Sequence, residues 1–287
     1  MGILLAVLSA VLYGSGDFLG GLSSRRESAL AVTWYSQMAG LGSIVVVAVV
    51  VGADRVTSAD WGWGAMGGLA GAAGLLLLYG ALAKGPMAVV APVTALLSAV
   101  VPAIAGFVQG ERPSAYAVVG VLLALPAIGL AASAGDLDLG SVHARILAES
   151  IVAGSMFGLF FVFFAQAGDE AGMWPTVAAK VASVTALSLV VAVPSLRQNV
   201  SPDGSMRVAR ASLPLIVGAG LFDVGANALY LAATREGLLA LISVITAMYP
   251  AATVLLAATV LREPIRRPQM IGLVLAAIAI GLVAAAG

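Results

Sequence analysis

Apolar residues run in long blocks along this chain, and polar residues gather between them. Ten such blocks can be marked, at 2–22, 29–51, 61–83, 86–109, 113–134, 145–167, 173–194, 211–234, 237–261 and 266–286. A bilayer core of roughly 30 Å needs about 20 apolar residues in helical form. The blocks match that length, are about twice as long as barrel strands and lack strand-like alternation, so membrane-spanning helices are expected. Lys84-Gly85, Glu111-Arg112 and Glu236-Gly237 join neighbouring blocks almost directly, which makes those neighbours antiparallel. Two polar stretches are longer, 134–144 and 195–210.

The stretch near the middle of the chain divides two halves that resemble each other. Tyr79-Gly80-Ala81 parallels Leu229-Tyr230-Leu231-Ala232, Thr94-Ala95 parallels Thr246-Ala247, and Gly110-Glu111-Arg112 parallels Arg262-Glu263-Pro264. Thr33-x3-Gln37-x2-Gly40 in span 2 has its counterpart in Thr176-x3-Lys180-x2-Ser183 in span 7. Residues 1–134 form a first repeat of five helices, 135–144 a linker and 145–287 a second repeat of five. An odd number of spans per copy forces the two copies into opposite senses across the membrane. The expected fold is an all-α polytopic membrane protein of ten transmembrane helices, built as two inverted five-helix repeats. Such repeats suit alternating access, with a substrate site near the midplane between them.

Composition narrows the class. Charged residues make up 10% of the chain, against about 25% in soluble domains, and they balance to zero net charge with a mean hydropathy of +1.07. A soluble enzyme, a disordered chain and a nucleic-acid partner are thereby excluded, the last needing a basic surface. There are no cysteines and one histidine, His143, in a polar stretch. No metal site, cofactor or catalytic histidine is expected, and the chain is read as a non-enzyme in the cell membrane. It contains no Gly-x4-Gly-Lys-Ser/Thr phosphate loop, so it is not itself an ATPase. The first block has no basic flank and is read as a retained helix, not a signal peptide. Many of the 34 glycines lie at small-xxx-small spacing, such as Gly16/Gly20, Gly64/Gly68 and Gly154/Gly158. That spacing lets helix backbones approach closely in lipid.

Other motifs resemble a known family. They are Tyr13-Gly14-Ser15-Gly16-Asp17-Phe18 in span 1, Phe157-Gly158-Leu159-Phe160-Phe161 in span 6, Asp223-Val224-Gly225-Ala226-Asn227 in span 8, and Met248-Tyr249-Pro250-Ala251-Ala252-Thr253 in span 9. The whole chain looks like an EamA-type transporter of the drug/metabolite transporter superfamily. That resemblance implies ten helices around a central cavity and movement of small metabolites, often outward. One departure is Ser98, which stands in the first repeat where the second has Pro250, so any kink in span 4 falls at Pro92 or Pro102.

Four charges lie within spans: Asp17, Glu149, Lys180 and Asp223. Such groups cost about 2.5–3.5 kcal/mol each on insertion scales and tend to face a cavity. Glu149 is one turn deep and four residues after Arg145, which suits a local i,i+4 pair. Lys180 and Asp223 differ in depth by roughly 5 Å at the helix rise, and Lys180 and Asp17 by about 12 Å. Lys180 is therefore expected to pair with Asp223, and its charge argues against a purely cation-selective pump. Asp223, Asn227 and Tyr230 share one helix face, as do Tyr13 and Asp17, Thr33 and Gln37, and Ser243 and Thr246. Polar faces in lipid must look inward. The candidate substrate-binding set is Asp17, Gln37, Lys180, Asp223 and Asn227, with Tyr13, Trp34, Tyr79, Thr94, Tyr230 and Thr246. Trp61, Trp63 and Trp174, at span ends, suit interface anchors.

The functional reading is a secondary transporter for a small polar or amphipathic metabolite such as an amino acid, and the family resemblance implies that it works as an exporter. Its partners are that substrate and the lipid bilayer, with protons as a candidate coupling ion carried by Asp17 or Asp223. A lipid-linked sugar flippase on the same scaffold is the alternative. A channel would need a polar stripe through several helices, whereas these sites cluster at mid-depth. Let side A be the face holding the loops after spans 1, 3, 5, 7 and 9. It carries Arg25, Arg26, Lys84, Arg145, Arg197, Arg207, Arg210, Arg262, Arg266 and Arg267, against Arg55, Arg112 and Arg235 on side B. The Lys/Arg rule puts side A in the cytoplasm and both termini outside; the family resemblance implies cytoplasmic termini.

Overall fold

The computed structural model describes residues 1–84, 87–132, 144–200, 205–262 and 264–285. Gly85, Glu263, His143 and all of the expected linker but Ala144 lie outside the described residues. The regular elements among the described residues are helices, a 3-10 turn at Asp169–Ala171 and α1 (Gly2–Ser24), α2 (Ala29–Val51), α3 (Ser58–Lys84), α4 (Met87–Val108), α5 (Ala115–Ala132), α6 (Ala144–Phe164), α7 (Trp174–Ala192), α8 (Pro194–Val200), α9 (Leu213–Thr234), α10 (Leu239–Thr246), α11 (Tyr249–Val260) and α12 (Arg267–Ala285). Among the described residues eight helical stretches are long and apolar enough to cross a bilayer. Two shorter apolar helices, Val93–Val108 and Ala115–Ala131, bring the total to ten.

Two details differ from the sequence expectation. The polar stretch after span 7 begins with a short helix, α8, led by Pro194, a position where proline's fixed φ and missing N–H are tolerated. Span 9 is also not one helix. It breaks after Thr246, and α11 restarts with Pro250 in its first turn. Pro250 has no N–H to offer the Thr246 carbonyl, and its ring would crowd that oxygen in a continuous helix. In the first half Ser98 occupies the matching place, and α4 runs from Met87 to Val108 unbroken.

Spans 1–7 are α1–α7, span 8 is α9, span 9 is α10 with α11, and span 10 is α12. Their packing obeys one exchange rule. Span 1 packs on span 8 as span 6 packs on span 3; span 4 on span 6 as span 9 on span 1; and span 3 on span 7 as span 8 on span 2. Spans 2 and 7, 4 and 9, and 5 and 10 each pack against their own counterparts. The halves are thus related by a pseudo-two-fold operation, and five spans per half make it an inverting one.

Glycines set the closest crossings. A side chain on Gly68 would run into the Ala179 carbonyl, and one on Gly220 into the Ser36 carbonyl. These two contacts are equivalent under the exchange. So are Gly14 against the Tyr249 carbonyl and Gly158 against the Leu97 carbonyl.

On side B the loops are tied together. Gly168 N donates to Asp60 Oδ1 at 2.7 Å, and Arg235 Nη2 donates to the carbonyls of Gly168 (3.1 Å) and Gly172 (2.9 Å). Glu111, past the end of α4, accepts from Ala240 N at 3.0 Å and from Leu239 N. A carboxylate there satisfies free N–H groups at the start of α10 and meets the positive end of its dipole. Burial lowers the basicity of Arg235 from the ordinary guanidinium range; a charged group losing water is disfavoured. On side A, Glu27 accepts from Ser212 Oγ at 2.6 Å and from Ala209 N at 3.1 Å.

Candidate functional site

The paired glycines fix which residues are equivalent in the two halves. Three residues after Gly14 comes Asp17, and three after Gly158 comes Phe161; one before each are Tyr13 and Phe157. Three and seven residues after Gly220 come Asp223 and Asn227, and the same steps from Gly68 give Gly71 and Leu75. Next to Ser36 and Ala179 stand Gln37 and Lys180. All ten of these residues line one cavity at the centre of the bundle, together with Ser183, Tyr249 and Phe160. The cavity therefore sits on the pseudo-two-fold axis, where the exchange brings equivalent helix faces together.

Its polar core is a closed triad. Lys180 Nζ forms an ion pair with Asp223 Oδ2 and donates to Gln37 Oε1 at 2.8 Å. Gln37 Nε2 in turn donates to Asp223 Oδ2 at 3.1 Å. The Lys180–Asp223 pair expected from their depths is formed. Lys180 is buried, with its side chain 4% exposed, whereas the Asp223 side chain is 25% exposed toward the cavity. Gly40 packs beside the lysine stem and tightly against α9, since a side chain there would come within 3.2 Å of the Gly220 carbonyl. Nearby, Tyr13 OH donates to Asn227 Oδ1. The Asn227 amide nitrogen and the Asp17 carboxylate have no hydrogen-bond partner among the described residues. The Tyr13 ring meets Phe161 edge-on at 6.0 Å, and Phe160 lies 5.4 Å from Phe161.

Six of the eleven sequence-derived candidates line this cavity: Tyr13, Asp17, Gln37, Lys180, Asp223 and Asn227. The other five lie outside the lining, four of them with their polar atoms bonded or packed against neighbouring helices. Trp34 donates from Nε1 to Ser188 Oγ at 2.9 Å. Tyr79 is buried with its hydroxyl against Gly20. Thr94 Oγ1 donates to the Ser150 carbonyl at 3.3 Å. Tyr230, fully buried, donates to the Phe161 carbonyl at 3.0 Å and lies 2.8 Å from Ser243 Oγ, which places it in the packing on the side-B flank of the cavity. Thr246 Oγ1 is buried at the break in span 9 with no partner among the described residues.

Sequence reasoning missed the apolar half of the lining. Phe157, Phe160, Phe161 and Leu75 carry no polar signal, and only the two-fold relation to Tyr13, Asp17 and Asn227 points to three of them. The shallow charge behaves as read from its spacing: Arg145 Nε bonds Glu149 Oε1 at 2.9 Å. Among the described residues no cluster of His, Asp or Glu could hold a metal ion.

Comparison with known proteins agrees with this architecture. A sequence profile described as the EamA-like transporter family matches twice, over residues 1–133 and again over 146–285. No curated protein matches the chain in sequence. A solved crystal structure, described only as that of a protein, superposes with a TM-score of 0.73 at 18% identity, covering 97% of this chain and 94% of its own. At that identity the likeness concerns the fold alone.

Proposed function

We propose that this protein, which belongs to the EamA-like transporter family, is a secondary transporter that exports a small polar or amphipathic metabolite by alternating access. The observation that carries this reading is the cavity itself. It lies between two inverted halves, at equivalent positions of each, and combines an apolar wall with a few convergent polar groups, as binding sites for small molecules do. Inverted halves have two related ways of packing, opening to one face or the other around a fixed central site. A coupling proton would be carried by Asp17 or Asp223.

The test is counterflow. Purified protein is screened for metabolites that raise its thermal midpoint, since a ligand that binds the native state stabilises it by mass action. The best stabiliser is then loaded into proteoliposomes. The expected result is accelerated uptake of labelled ligand from outside, abolished in a Lys180→Met variant. A stabilising ligand that shows no counterflow would overturn the transporter reading. Uptake that follows an imposed pH gradient equally well in Asp17→Asn and Asp223→Asn would remove both as proton carriers.

A further inference from the structure

We propose that the transported ligand is a monocationic amphipath, an ammonium group on a compact apolar or aromatic body. It binds with its head at Asp17 and its body on the phenylalanine wall. This rests on the transporter reading and narrows it to a substrate class.

Three observations lead there. The first is charge. Asp17, Asp223 and Lys180 all line the cavity, two acidic groups against one basic, so the formal balance is one negative charge in excess. Lys180 is not available to an incoming anion, because Asp223 and Gln37 already hold it. The sequence-level objection to a cationic ligand thus loses its basis. The second is hydrogen-bonding capacity. Asp223 Oδ2 is taken by Lys180 and Gln37, which leaves Asp223 Oδ1 and both Asp17 oxygens as acceptors. Donors remain too, on the Asn227 amide and in one unused N–H each of Gln37 Nε2 and Lys180 Nζ, but Asp17 is the lining carboxylate with no cationic or hydrogen-bonding partner among the described residues. An ammonium offers it three N–H donors and brings no acceptor. The third is asymmetry. At positions equivalent under the two-fold, spans 1 and 8 present Tyr13, Asp17, Asp223 and Asn227, while spans 6 and 3 present Phe157, Phe161, Gly71 and Leu75. One wall is polar and the facing one apolar, so a ligand seated there has one polar end and one apolar end. An aromatic wall also favours a cation beside it.

The experiment measures binding to the full chain in detergent by thermal midpoint, using 2-phenylethylammonium, 2-phenylethanol, 3-phenylpropionate, phenylalanine, ethylammonium and sodium ion. The expected order puts 2-phenylethylammonium first. Asp17→Asn weakens it by roughly tenfold or more, the scale of one lost charged contact. Phe157→Ala weakens 2-phenylethylammonium more than ethylammonium. Because Asp17→Asn is nearly isosteric, its unliganded melting point reports whether it folds, and Asp17→Glu provides a second variant that keeps binding. Tighter binding of 3-phenylpropionate or phenylalanine, an equal shift by sodium ion, or unchanged affinity in Asp17→Asn would overturn the proposal. The two readings fail separately. Amine binding without amine flux in liposomes defeats the transporter reading, whereas flux of an anion without amine binding defeats the substrate class.

Discussion

Lys180 and Asp223 are each tolerable in lipid only because of the other. A buried ion pair gains little over apolar residues of equal volume, but removing one member strands the other charge at a cost of about 3–5 kcal/mol. The Asp223 side chain is 25% exposed toward the cavity, so the cost here belongs at or below the lower end of that range. Lys180→Met is therefore expected to lower the thermal midpoint of the purified protein. Lys180→Met with Asp223→Asn should recover part of the loss, with a coupling energy of about 1 kcal/mol or more in the double-mutant cycle. Strictly additive effects would mean the pair contributes nothing. This same contrast explains what was legible at the level of residues. A charge inside an apolar span is visible in a bare sequence, so Asp17, Lys180 and Asp223 could be named, and helical spacing extended the set to Asn227, Gln37 and Tyr13. Tyr230, Thr94, Trp34 and Tyr79 carry polar atoms too, but those atoms are occupied by neighbouring backbone, a serine or a tight glycine contact. Sequence does not distinguish a hydroxyl turned to a cavity from one bonded to the next helix.

The helices take their places through backbone contacts that only glycine permits. Gly68 on α3 meets the Ala179 carbonyl one residue before Lys180, and Gly220 on α9 meets the Ser36 carbonyl one residue before Gln37. The crossings and the polar triad are adjacent, so the helix spacing sets where the lysine and the glutamine reach. Overpacking at such a site costs about 1–3 kcal/mol. Gly68→Ala and Gly220→Ala should each lower the thermal midpoint and disturb ligand binding. Gly80→Ala, on the same helix as Gly68 but with nothing within 4 Å of the added carbon, should leave both unchanged. Equal effects at Gly68 and Gly80 would show that the crossings are not limiting. Small-xxx-small spacing made close packing legible, but it could not name the partners, because nine of the ten spans carry glycines and span 7, which has none, still receives Gly68. The break in span 9 was foreshadowed by Pro250, and its location three residues upstream follows from the missing bond to Thr246. Helix α8 was not legible: seven residues in a polar stretch give too short a pattern to be distinguished from loop.

At the scale of the molecule, the exchange rule makes the two faces of the bundle structurally equivalent while the sequence keeps them chemically distinct. Phe160, Phe161 and Phe164, near the side-B end of span 6, are packed with buried Tyr230. Their two-fold counterparts near the side-A end of span 1 are Gly16, Asp17 and Gly20. The bulky aromatic end of the lining therefore lies toward side B and the acidic end toward side A, so the two ends of the cavity are chemically distinct. Which face is cytoplasmic decides what this asymmetry means for the cell. Side A carries ten of the loop Lys/Arg residues and side B three. All the loops concerned are short, the condition under which the Lys/Arg bias sets orientation. The rule predicts side A inside and both termini outside, so the acidic end of the cavity would lie toward the cytoplasm, the end suited to collecting an internal cation for export. A C-terminal fluorescent fusion that matures only in the cytoplasm should be dark, and a phosphatase fusion at the same site should be active. Replacing Arg25, Arg26, Arg207 and Arg210 with glutamine, which cuts the bias from ten against three to six against three, should let part of the population light up. A bright fusion on the unaltered chain would reverse the orientation, and with it the face of the membrane toward which the Asp17 end of the cavity lies.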